Sequence, residues 1–179
     1  RTIQVNIVGE VNVPGTYRLS SFSGIFHALY KAGGISELGS LRNIKLVRNG
    51  KTIHAIDIYD FLMKGTMKDD TRLEEGDVIL VPPYEALVNI TGKVKRPMFY
   101  EMKKNESIKT LLEYAGGFSN QAYRNSLNVI RENGKEYQIY TVDNIDFSSF
   151  QLEDGDAVNV GTMLDRFANK VEIKGAVYR

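Results

Sequence analysis

The chain contains no cysteine and no tryptophan, and only two of its 179 residues are histidine. The absence of cysteine excludes disulfides, thiolate metal ligands and a cysteine nucleophile. No stretch approaches the roughly 18 apolar residues that a membrane-spanning helix needs. The 23 basic and 22 acidic residues leave a formal net charge of +1, so no overall field attracts nucleic acid or an anionic membrane. We therefore expect neither nucleic-acid binding nor membrane contact from this segment.

Apolar and charged side chains are present in ordinary amounts, 42% and 25%, as in folded soluble proteins. The length suits one large domain or two small ones. The chain begins with Arg1 and carries no signal peptide, so we expect a processed or trimmed piece of a longer protein. A cysteine-free chain suits the cytosol and an oxidising compartment equally well.

An internal repeat is the strongest feature of the sequence. The interval from Gly9 to Gly92 is the same as the interval from Gly92 to Gly175. The sequence Ala-Gly-Gly at residues 32–34 recurs at residues 115–117, again at this interval. Self-similarity at a fixed period indicates repeated structural units. The chain is therefore predicted to contain two copies of one small domain and the beginning of a third.

A second landmark places a deletion in the second copy. The sequence Leu-Glu-Glu-Gly-Asp at residues 73–77 recurs as Leu-Glu-Asp-Gly-Asp at residues 152–156, which is four positions earlier than the repeat interval requires. Four residues have therefore been lost between the landmarks. The predicted domains are residues 1–83 and 84–170, followed by the first strand of a third repeat in residues 171–179.

Local patterns predict mixed strand and helix in each copy. Ile3, Val5 and Ile7 alternate with polar residues, as in a half-buried strand. An amphipathic helical stripe follows, formed by Phe22, Ile25, Phe26, Leu29 and Ala32. The glycine pair at residues 33–34 is predicted to end this helix in the left-handed conformation.

The second half of each copy is predicted to be a hairpin, a short helix and a last strand. Asn49-Gly50 is the favoured pair for a type I′ turn, whereas the second copy has a longer loop, for which we predict a bulge. Asp57 is expected to cap a short helix that Gly65 ends and in which Ile58, Phe61 and Leu62 share one face. The matching segment, residues 143–150, should contain only a turn.

The order of these motifs resembles the SLBB domain, the soluble ligand-binding β-grasp. The motifs are a strand with G-E-V, a Pro-Gly turn, a helix ending in A-G-G, an N-G hairpin, and L-x-x-G-D before a last strand. The resemblance implies an α+β, β-grasp-like fold with one principal helix per domain. The second copy departs from the pattern at Met98, which replaces the turn glycine Gly15, so a different turn is expected there.

Tandem copies of this domain resemble the periplasmic part of outer-membrane polysaccharide export proteins. The resemblance implies a non-enzymatic part of an oligomeric translocon in the periplasm, associated with the outer membrane through parts outside this segment. The implied partners are further copies of the same chain, a polysaccharide and an inner-membrane export component. The alternative is a soluble β-grasp module that binds a small ligand or a glycan.

An enzyme of unrecognised type is the third and weakest interpretation. His27 has no counterpart in the second copy, where Thr110 stands, and His54 is also a lone residue. A structural role is therefore the better interpretation of both histidines. No metal-binding spacing occurs, and the acidic residues 74–77 are interpreted as a solvated turn. No catalytic residue, metal ligand or cofactor is predicted, and no binding residue is assigned.

Three further expectations concern surfaces and the C-terminal region. The basic residues near Lys93 and Lys103 are predicted to form a solvated face. Tyr17 and Tyr100 occupy equivalent places and are predicted to be structural. Segment 160–169 is expected to pack between the domains, and residues 171–179 to begin with a strand.

Structural roles are assigned to the repeated glycines, prolines and aspartates. They are Gly9, Pro14, Gly15, Gly33, Gly34, Gly76, Asp77, Gly92, Pro97, Gly116, Gly117, Gly155, Asp156 and Gly175.

Overall fold

The computed structural model describes residues 1–66, 71–169 and 175. The described strands form two five-stranded sheets, one within residues 2–81 (the first unit) and one within residues 87–160 (the second unit). The elements of the first unit are β1 (Thr2–Gly9), β2 (Gly15–Ser20), α1 (Ile25–Lys31), β3 (Ile44–Arg48), β4 (Lys51–Ile56), α2 (Ile58–Lys64) and β5 (Val78–Val81). Those of the second unit are β6 (Leu87–Gly92), β7 (Met98–Glu101), α3 (Ile108–Tyr114), β8 (Ser126–Glu132), β9 (Tyr137–Asp143), a 3-10 turn (Asn144–Asp146) and β10 (Ala157–Val160).

Both sheets have the same strand order, β2-β1-β5-β3-β4 in the first unit and β7-β6-β10-β8-β9 in the second. In each sheet the first strand pairs antiparallel with the second strand and parallel with the last one. One principal helix, α1 or α3, buries its apolar side chains in the core of its own unit. The predicted α+β fold of β-grasp type is confirmed, while the boundaries 1–83, 84–170 and 171–179 stay predictions.

Helix α1 is shorter than its predicted stripe. Ile25 and Leu29 are buried as expected, but Phe22 lies before the helix and is 73% exposed. The helix begins only after Gly24, an N-cap with extended backbone. The ring of Phe22 faces the guanidinium carbon of Arg72 at 5.4 Å instead. The assignment of Phe22 to the buried helical face is therefore wrong.

The glycine pair after each principal helix ends it in the predicted way. Gly33 and Gly34 have φ of 75° and 86°. The N–H of Gly34 donates to the carbonyl of Leu29 at 2.9 Å, and that of Gly33 donates to the carbonyl of Tyr30 at 3.1 Å. These are the two bonds of a Schellman motif. Residues 116–117 make the equivalent bonds at the end of α3.

Gly9 and Gly92 lie at the end of the first strand of each unit, where the last strand leaves no room for a side chain. A Cβ on Gly9 would lie 2.2 Å from the carbonyl oxygen of Val81, and one on Gly92 would lie 2.1 Å from that of Val160. Both glycines also have φ of 89°, a conformation that costs other residues about 1–2 kcal/mol. Glycine is therefore required at both positions for two reasons: a Cβ would clash with the neighbouring strand, and the φ angle is positive.

The first hairpin turns as predicted. The bulge lies in this hairpin and not in the second one, for which it was predicted. Asn49 and Gly50 have φ of 51° and 72°, consistent with the predicted type I′ turn. The register shift occurs in this hairpin, between Leu46 and Val47, whereas β8 and β9 pair without any shift. In the second hairpin the side-chain oxygen of Asn133 accepts the N–H groups two and three residues later. The longer loop is thereby folded into a compact turn that keeps the register.

Helix α2 has the predicted ends, and its most buried side chain, Tyr59, lies outside the predicted apolar face. The Asp57 carboxylate accepts the N–H of Tyr59 at 3.0 Å, and the helix ends at Gly65 with φ of 67°. On the predicted face, Ile58 packs against the core of the first unit, the ring of Phe61 lies 5.4 Å from that of Phe26, and Leu62 is exposed. Tyr59, which the sequence did not single out, is only 7% exposed because α2 directs it towards the second unit.

The deletion falls where the sequence predicts, but strand register makes it seven residues, because the second hairpin is three residues longer than the first. Residues 143–150 contain the 3-10 turn in place of a helix. Phe147 follows that turn and is buried, and Phe150 packs against the same core. A single turn therefore suffices to cover this edge of the second unit.

An arginine and an aspartate form the same buried pair in both units. Asp77 is fully buried, and Arg48 donates to its two carboxylate oxygens at 2.8 and 2.9 Å. Asp156 receives the same bidentate bond from Arg131 at 2.9 and 2.8 Å. Each aspartate also accepts the backbone N–H three residues earlier. The interpretation of residues 74–77 as a solvated turn is therefore wrong for Asp77, whose charge is compensated inside the fold.

The two tyrosines predicted to be structural make the same bond. The hydroxyl of Tyr17 donates to the carbonyl of Val13 at 2.5 Å, and that of Tyr100 donates to the carbonyl of Arg96 at 2.8 Å. Each bond spans the turn before the second strand of its unit, which confirms the prediction. In the second unit Met98 begins β7 with negative φ, so the lost glycine causes no backbone strain.

The segment after β10 does not pack between the units. Met163 and Leu164 are exposed, because the backbone returns onto the second unit, where the N–H of Met163 donates to the carbonyl of Gln121 at 2.7 Å. The expectation for segment 160–169 is therefore wrong. The strand predicted in residues 171–179 lies outside the described residues.

Candidate functional site

The residues with predicted structural roles lie at turns, helix ends and strand ends, and among them only Asp77 and Asp156 are buried. The Ala-Gly-Gly loop lies against the turn that follows the first strand, where Asn12 N–H donates to the carbonyl of Gly34 at 3.0 Å. In the second unit Lys95 N–H donates to the carbonyl of Gly117 at 3.1 Å. The motifs that recur together in the sequence are thus in contact in the fold, but they form no cluster of reactive groups.

The two histidines lie on separate elements. His27 is exposed on α1, and His54 is half-buried on β4. Within residues 1–66 and 71–169, no group of three or more His, Asp or Glu side chains is placed to hold a metal ion. Over the same residues, no helix has the length and apolar character needed to cross a bilayer.

A cluster of ionic and aromatic side chains joins the two units, with Arg42 at its centre. Nε and Nη2 of Arg42 donate to the carboxylate of Asp57 at 3.1–3.2 Å. Across the junction, Nη1 donates to the Glu106 carboxylate and, at 3.1 Å, to the carbonyl of Glu101, while Nη2 donates to the Tyr114 hydroxyl at 2.9 Å. The members of this junction cluster are Arg42, Asp57, Tyr59, Glu101, Glu106 and Tyr114.

Glu101, at the end of β7, is bonded to the first unit through three groups besides Arg42. Its buried carboxylate accepts the hydroxyl of Ser40 at 2.5 Å and the N–H of Leu41 at 2.7 Å. Its backbone N–H donates to the hydroxyl of Tyr59 at 2.7 Å. If the units separated, these groups would have to be hydrated again or would lose their partners. Each buried group left without a partner costs about 1–3 kcal/mol of stability.

Tyr59 extends from the first unit into the core of the second. Its ring packs edge-on against Tyr114, with centroids 5.2 Å apart and planes at 89°. The Arg42 guanidinium carbon lies 4.6 Å from the centre of the Tyr59 ring. Leu41 and Met63 of the first unit pack against the same core. The junction therefore combines apolar burial with its ionic bonds.

Lys103 adds a second cation beside the three carboxylates of the cluster. The Lys103 Nζ lies 2.8 Å from Oδ2 of Asp57, and the backbone N–H of Lys103 donates to Oε1 of Glu106 at 2.6 Å. The other oxygen of Glu106 accepts the Tyr114 hydroxyl at 2.6 Å. The prediction that the basic residues form a solvated face is therefore wrong for Lys103, which is half-exposed but paired across the junction.

The pKa values of the cluster keep its groups in the states that these bonds need. Burial raises the pKa of Asp57, but hydrogen bonds from Arg42 and Lys103 and their charges outweigh it, so the pKa lies below its usual value. Burial raises the pKa of Tyr59. Burial, and next its hydrogen bond to Glu106, raise the pKa of Tyr114. At neutral pH Asp57 is therefore charged and both tyrosine hydroxyls stay protonated, that of Tyr114 donating to Glu106 and that of Tyr59 accepting from Glu101.

This arrangement can fix the orientation of the two units. Its carboxylates are already occupied by donors, and among the described residues no buried side-chain polar atom lacks a hydrogen-bond partner. Removing one member of a buried ion pair costs about 3–5 kcal/mol, because the other charge is left uncompensated. The chemistry of the cluster is thus that of a stable joint between domains.

A cleft of about 320 Å³ opens beside the junction cluster. Charges of both signs line it, from Arg42, Asp57, Glu85, Lys103 and Lys104. A cleft at a domain interface with convergent polar groups is a usual place for a small ligand.

Local motifs do not reveal the junction cluster, but the sequence contains a signal for it. All of its members except Asp57, which corresponds to Asp143, differ from the residues at equivalent positions of the other copy. Arg42 corresponds to Asn125, Glu101 to Arg18, Glu106 to Ser23, Tyr114 to Lys31 and, by strand register, Tyr59 to Ile145. Residues that build a unit must recur in both copies, whereas residues that join two units occur once. Positions at which the copies differ in charge or aromatic character were therefore the place to search.

Comparison with known families and proteins agrees with the repeated fold. Residues 3–81 and residues 87–140 each match the SLBB domain. Two curated relatives, both named polysialic acid transport protein KpsD and both from Escherichia coli, are each 25% identical to this chain over 175 residues. The similarity covers 96% of this chain but only 30% of each relative. The chain therefore spans less than a third of the length of the curated relatives that it matches.

Proposed function

We propose that this chain, which belongs to the SLBB domain family, is a periplasmic part of a polysaccharide export protein. The observation that carries the proposal is the similarity to a polysialic acid transport protein, which extends over both units and 96% of the chain. Fold alone does not determine function. The polysaccharide assignment therefore rests on that similarity and the order of the SLBB motifs.

In this proposal the chain has no catalytic activity and serves as a rigid spacer in a translocon. The junction cluster supports the idea, because buried bonds between the units suit a part that must keep its shape under load. The net charge of +1 suits contact between identical subunits better than long-range capture of a charged polymer. Side-by-side copies would form a ring through heterologous contacts that close. The association with the outer membrane would come from parts outside this segment.

Deletion of the gene, with measurement of the polysaccharide on the cell surface and inside the cell, tests the proposal. We expect surface polymer to fall strongly and polymer to accumulate inside, because synthesis continues while export is blocked. Reintroduction of the wild-type gene should restore the surface polymer. Unchanged surface polysaccharide after deletion would rule the proposal out.

Two variants connect this test to the junction cluster. Arg42→Met removes the central cation, whereas Lys64→Met removes an exposed ion pair with Asp60 on the same unit. We expect Lys64→Met to restore export fully and Arg42→Met to restore less, at equal protein levels on an immunoblot. Equal export by both variants would argue against a role for junction rigidity.

The alternative function is binding of a small ligand or glycan, and the cleft beside the junction is the observation that favours it. Titration calorimetry of the purified chain with neutral and acidic oligosaccharides would measure such binding. Tight binding that is lost in Lys104→Ala, together with unchanged surface polysaccharide after gene deletion, would favour this alternative.

A further inference from the structure

Both units end in the same backbone arrangement. In the first unit Tyr84 N–H donates to the carbonyl of Leu38 at 3.0 Å. In the second unit Met163 N–H donates to the carbonyl of Gln121 at 2.7 Å. Gln121 follows Leu38 at the full interval of the repeat, and Met163 follows Tyr84 at the interval that the deletion has shortened. The exit of the chain from the two units is therefore structurally equivalent.

At the first exit, the end of the unit is covered by the unit that follows. Ser40 is buried against Glu101, and Tyr59 is 7% exposed within the core of the second unit. Leu41 packs against the same core. The chain itself thus displays how one unit receives the next.

At the second exit, several of the equivalent positions carry large apolar side chains that are exposed. Tyr123 stands in place of Ser40, and Met163 stands in place of Tyr84; both are exposed. Ile145 follows the buried Val142 by three residues, as Tyr59 follows the buried Ile56, and it is 81% exposed.

We call Tyr123, Ile145, Met163 and Leu164 the distal face. Large apolar side chains exposed together on one end of a domain commonly mark an interaction surface.

We propose that the distal face is the docking surface for a third SLBB-like unit, which covers it as the second unit covers the first. The occupant is indicated by the sequence, because Lys174-Gly175-Ala176-Val177 repeats the landmark of the first strand at the interval that separates Gly9 from Gly92. A third unit that opens there would follow the exit directly, as β6 follows the first exit.

The second junction differs in chemistry from the first. Asn125 stands where Arg42 holds the junction cluster together, and Arg124 stands in place of Leu41. The contact at the distal face is therefore based on apolar burial by Ile145, Met163 and their neighbours, without a central buried cation. The inference rests on the internal repeat and does not require that the protein exports a polysaccharide.

Thiol labelling tests this inference, because the chain has no cysteine of its own. Ile145→Cys places a thiol on the distal face. Ile139→Cys places one on β9, where the native side chain is also exposed. Each variant is made in residues 1–179 and in the longer protein that contains the complete third repeat, with any cysteine beyond residue 179 replaced by serine. The rate of reaction with a maleimide is then measured for all four proteins.

We expect the longer protein to react at least about tenfold more slowly at position 145, a factor equivalent to about 1.4 kcal/mol of docking free energy. Position 139 should react equally fast in both lengths. Equal rates at position 145 would overturn the proposal. Protection of position 145 that appears in residues 1–179 and grows with protein concentration would also overturn it, because a second copy would then be the occupant. Neither result would bear on export, which the gene deletion tests separately.

Discussion

The two units are built alike but differ at the surfaces by which they meet their neighbours. Both have the same strand order, the same glycine-ended helix and the same buried arginine–aspartate pair. The first unit alone presents Arg42 and Tyr59 to a partner, and the second unit alone presents Glu101 and Glu106 in return. Repeated residues therefore hold each unit together, whereas residues that are unrepeated, apart from Asp57, hold the two units to each other.

The largest effect is expected from a repeated glycine. Gly92→Ala should destabilise the chain by roughly 3 kcal/mol or more, because a Cβ 2.1 Å from the carbonyl oxygen of Val160 adds a clash to the cost of positive φ. Gly155→Ala is the matched control, since Gly155 has φ of 82° but open space around its Cβ position. It should cost only about 1–2 kcal/mol. Urea unfolding measures both, and equal losses would contradict a role for close strand approach.

Substitution of the buried aspartates tests whether the arginine–aspartate pair stabilises both units equally. Asp77→Ala and Asp156→Ala should each cost about 3 kcal/mol, because each leaves an arginine without its bidentate partner. The two losses in unfolding free energy should agree closely. Asp60→Ala, which removes an exposed ion pair, should cost less than about 0.5 kcal/mol. A large difference between the two buried aspartates would show that the units are not equivalent in stability.

Substitutions in the junction cluster test whether its residues hold the two units to each other. Arg42→Met should lower stability by about 2 kcal/mol, less than the roughly 3–5 kcal/mol of an uncompensated buried charge, because Lys103 still pairs with Asp57 and Tyr114 still donates to Glu106. We expect one thermal transition for the wild-type chain and two for the variant, since the bonds between the units lose their centre. Asn125→Met, at the equivalent exposed position of the second unit, should leave the calorimetric trace of the 179-residue chain unchanged. A single transition in the Arg42→Met variant would mean that apolar packing by Tyr59 alone couples the units.

The smallest effect concerns pH and the junction carboxylate. The pKa of Asp57 is lowered in the folded state, so its contribution to stability is present above the usual pKa of about 3.9 and is lost as pH falls below it. We therefore expect the difference in unfolding free energy between wild type and Asp57→Asn to be largest at neutral pH and to shrink near pH 3. A difference that stays constant over this range would place Asp57 outside the charge network.

Much of the fold could be predicted from local pattern, and the failures share one cause. The helix ends at residues 33–34, the Asn49-Gly50 turn and the shortened segment after β9 all depend on residues close together in the chain. The position of Phe22 was misjudged and the burial of Tyr59 was not indicated, because periodicity shows that a side chain is apolar but not which surface covers it. Helix α2 turns Tyr59 towards the other unit, and no pattern within its own seven residues indicates that.

The sequence by itself determined the repeat, the α+β class and the residues that each unit needs, because backbone angles, helix caps and hairpin turns act over a few neighbouring residues. Only the tertiary structure decided that Arg42 meets Glu106 and that Tyr59 enters the core of the second unit. Those contacts join residues that are far apart in the chain, on units whose relative placement no local propensity specifies. The physical reason is that a buried charge has a favourable energy only when its partners surround it, and the partners are brought together by folding of both units.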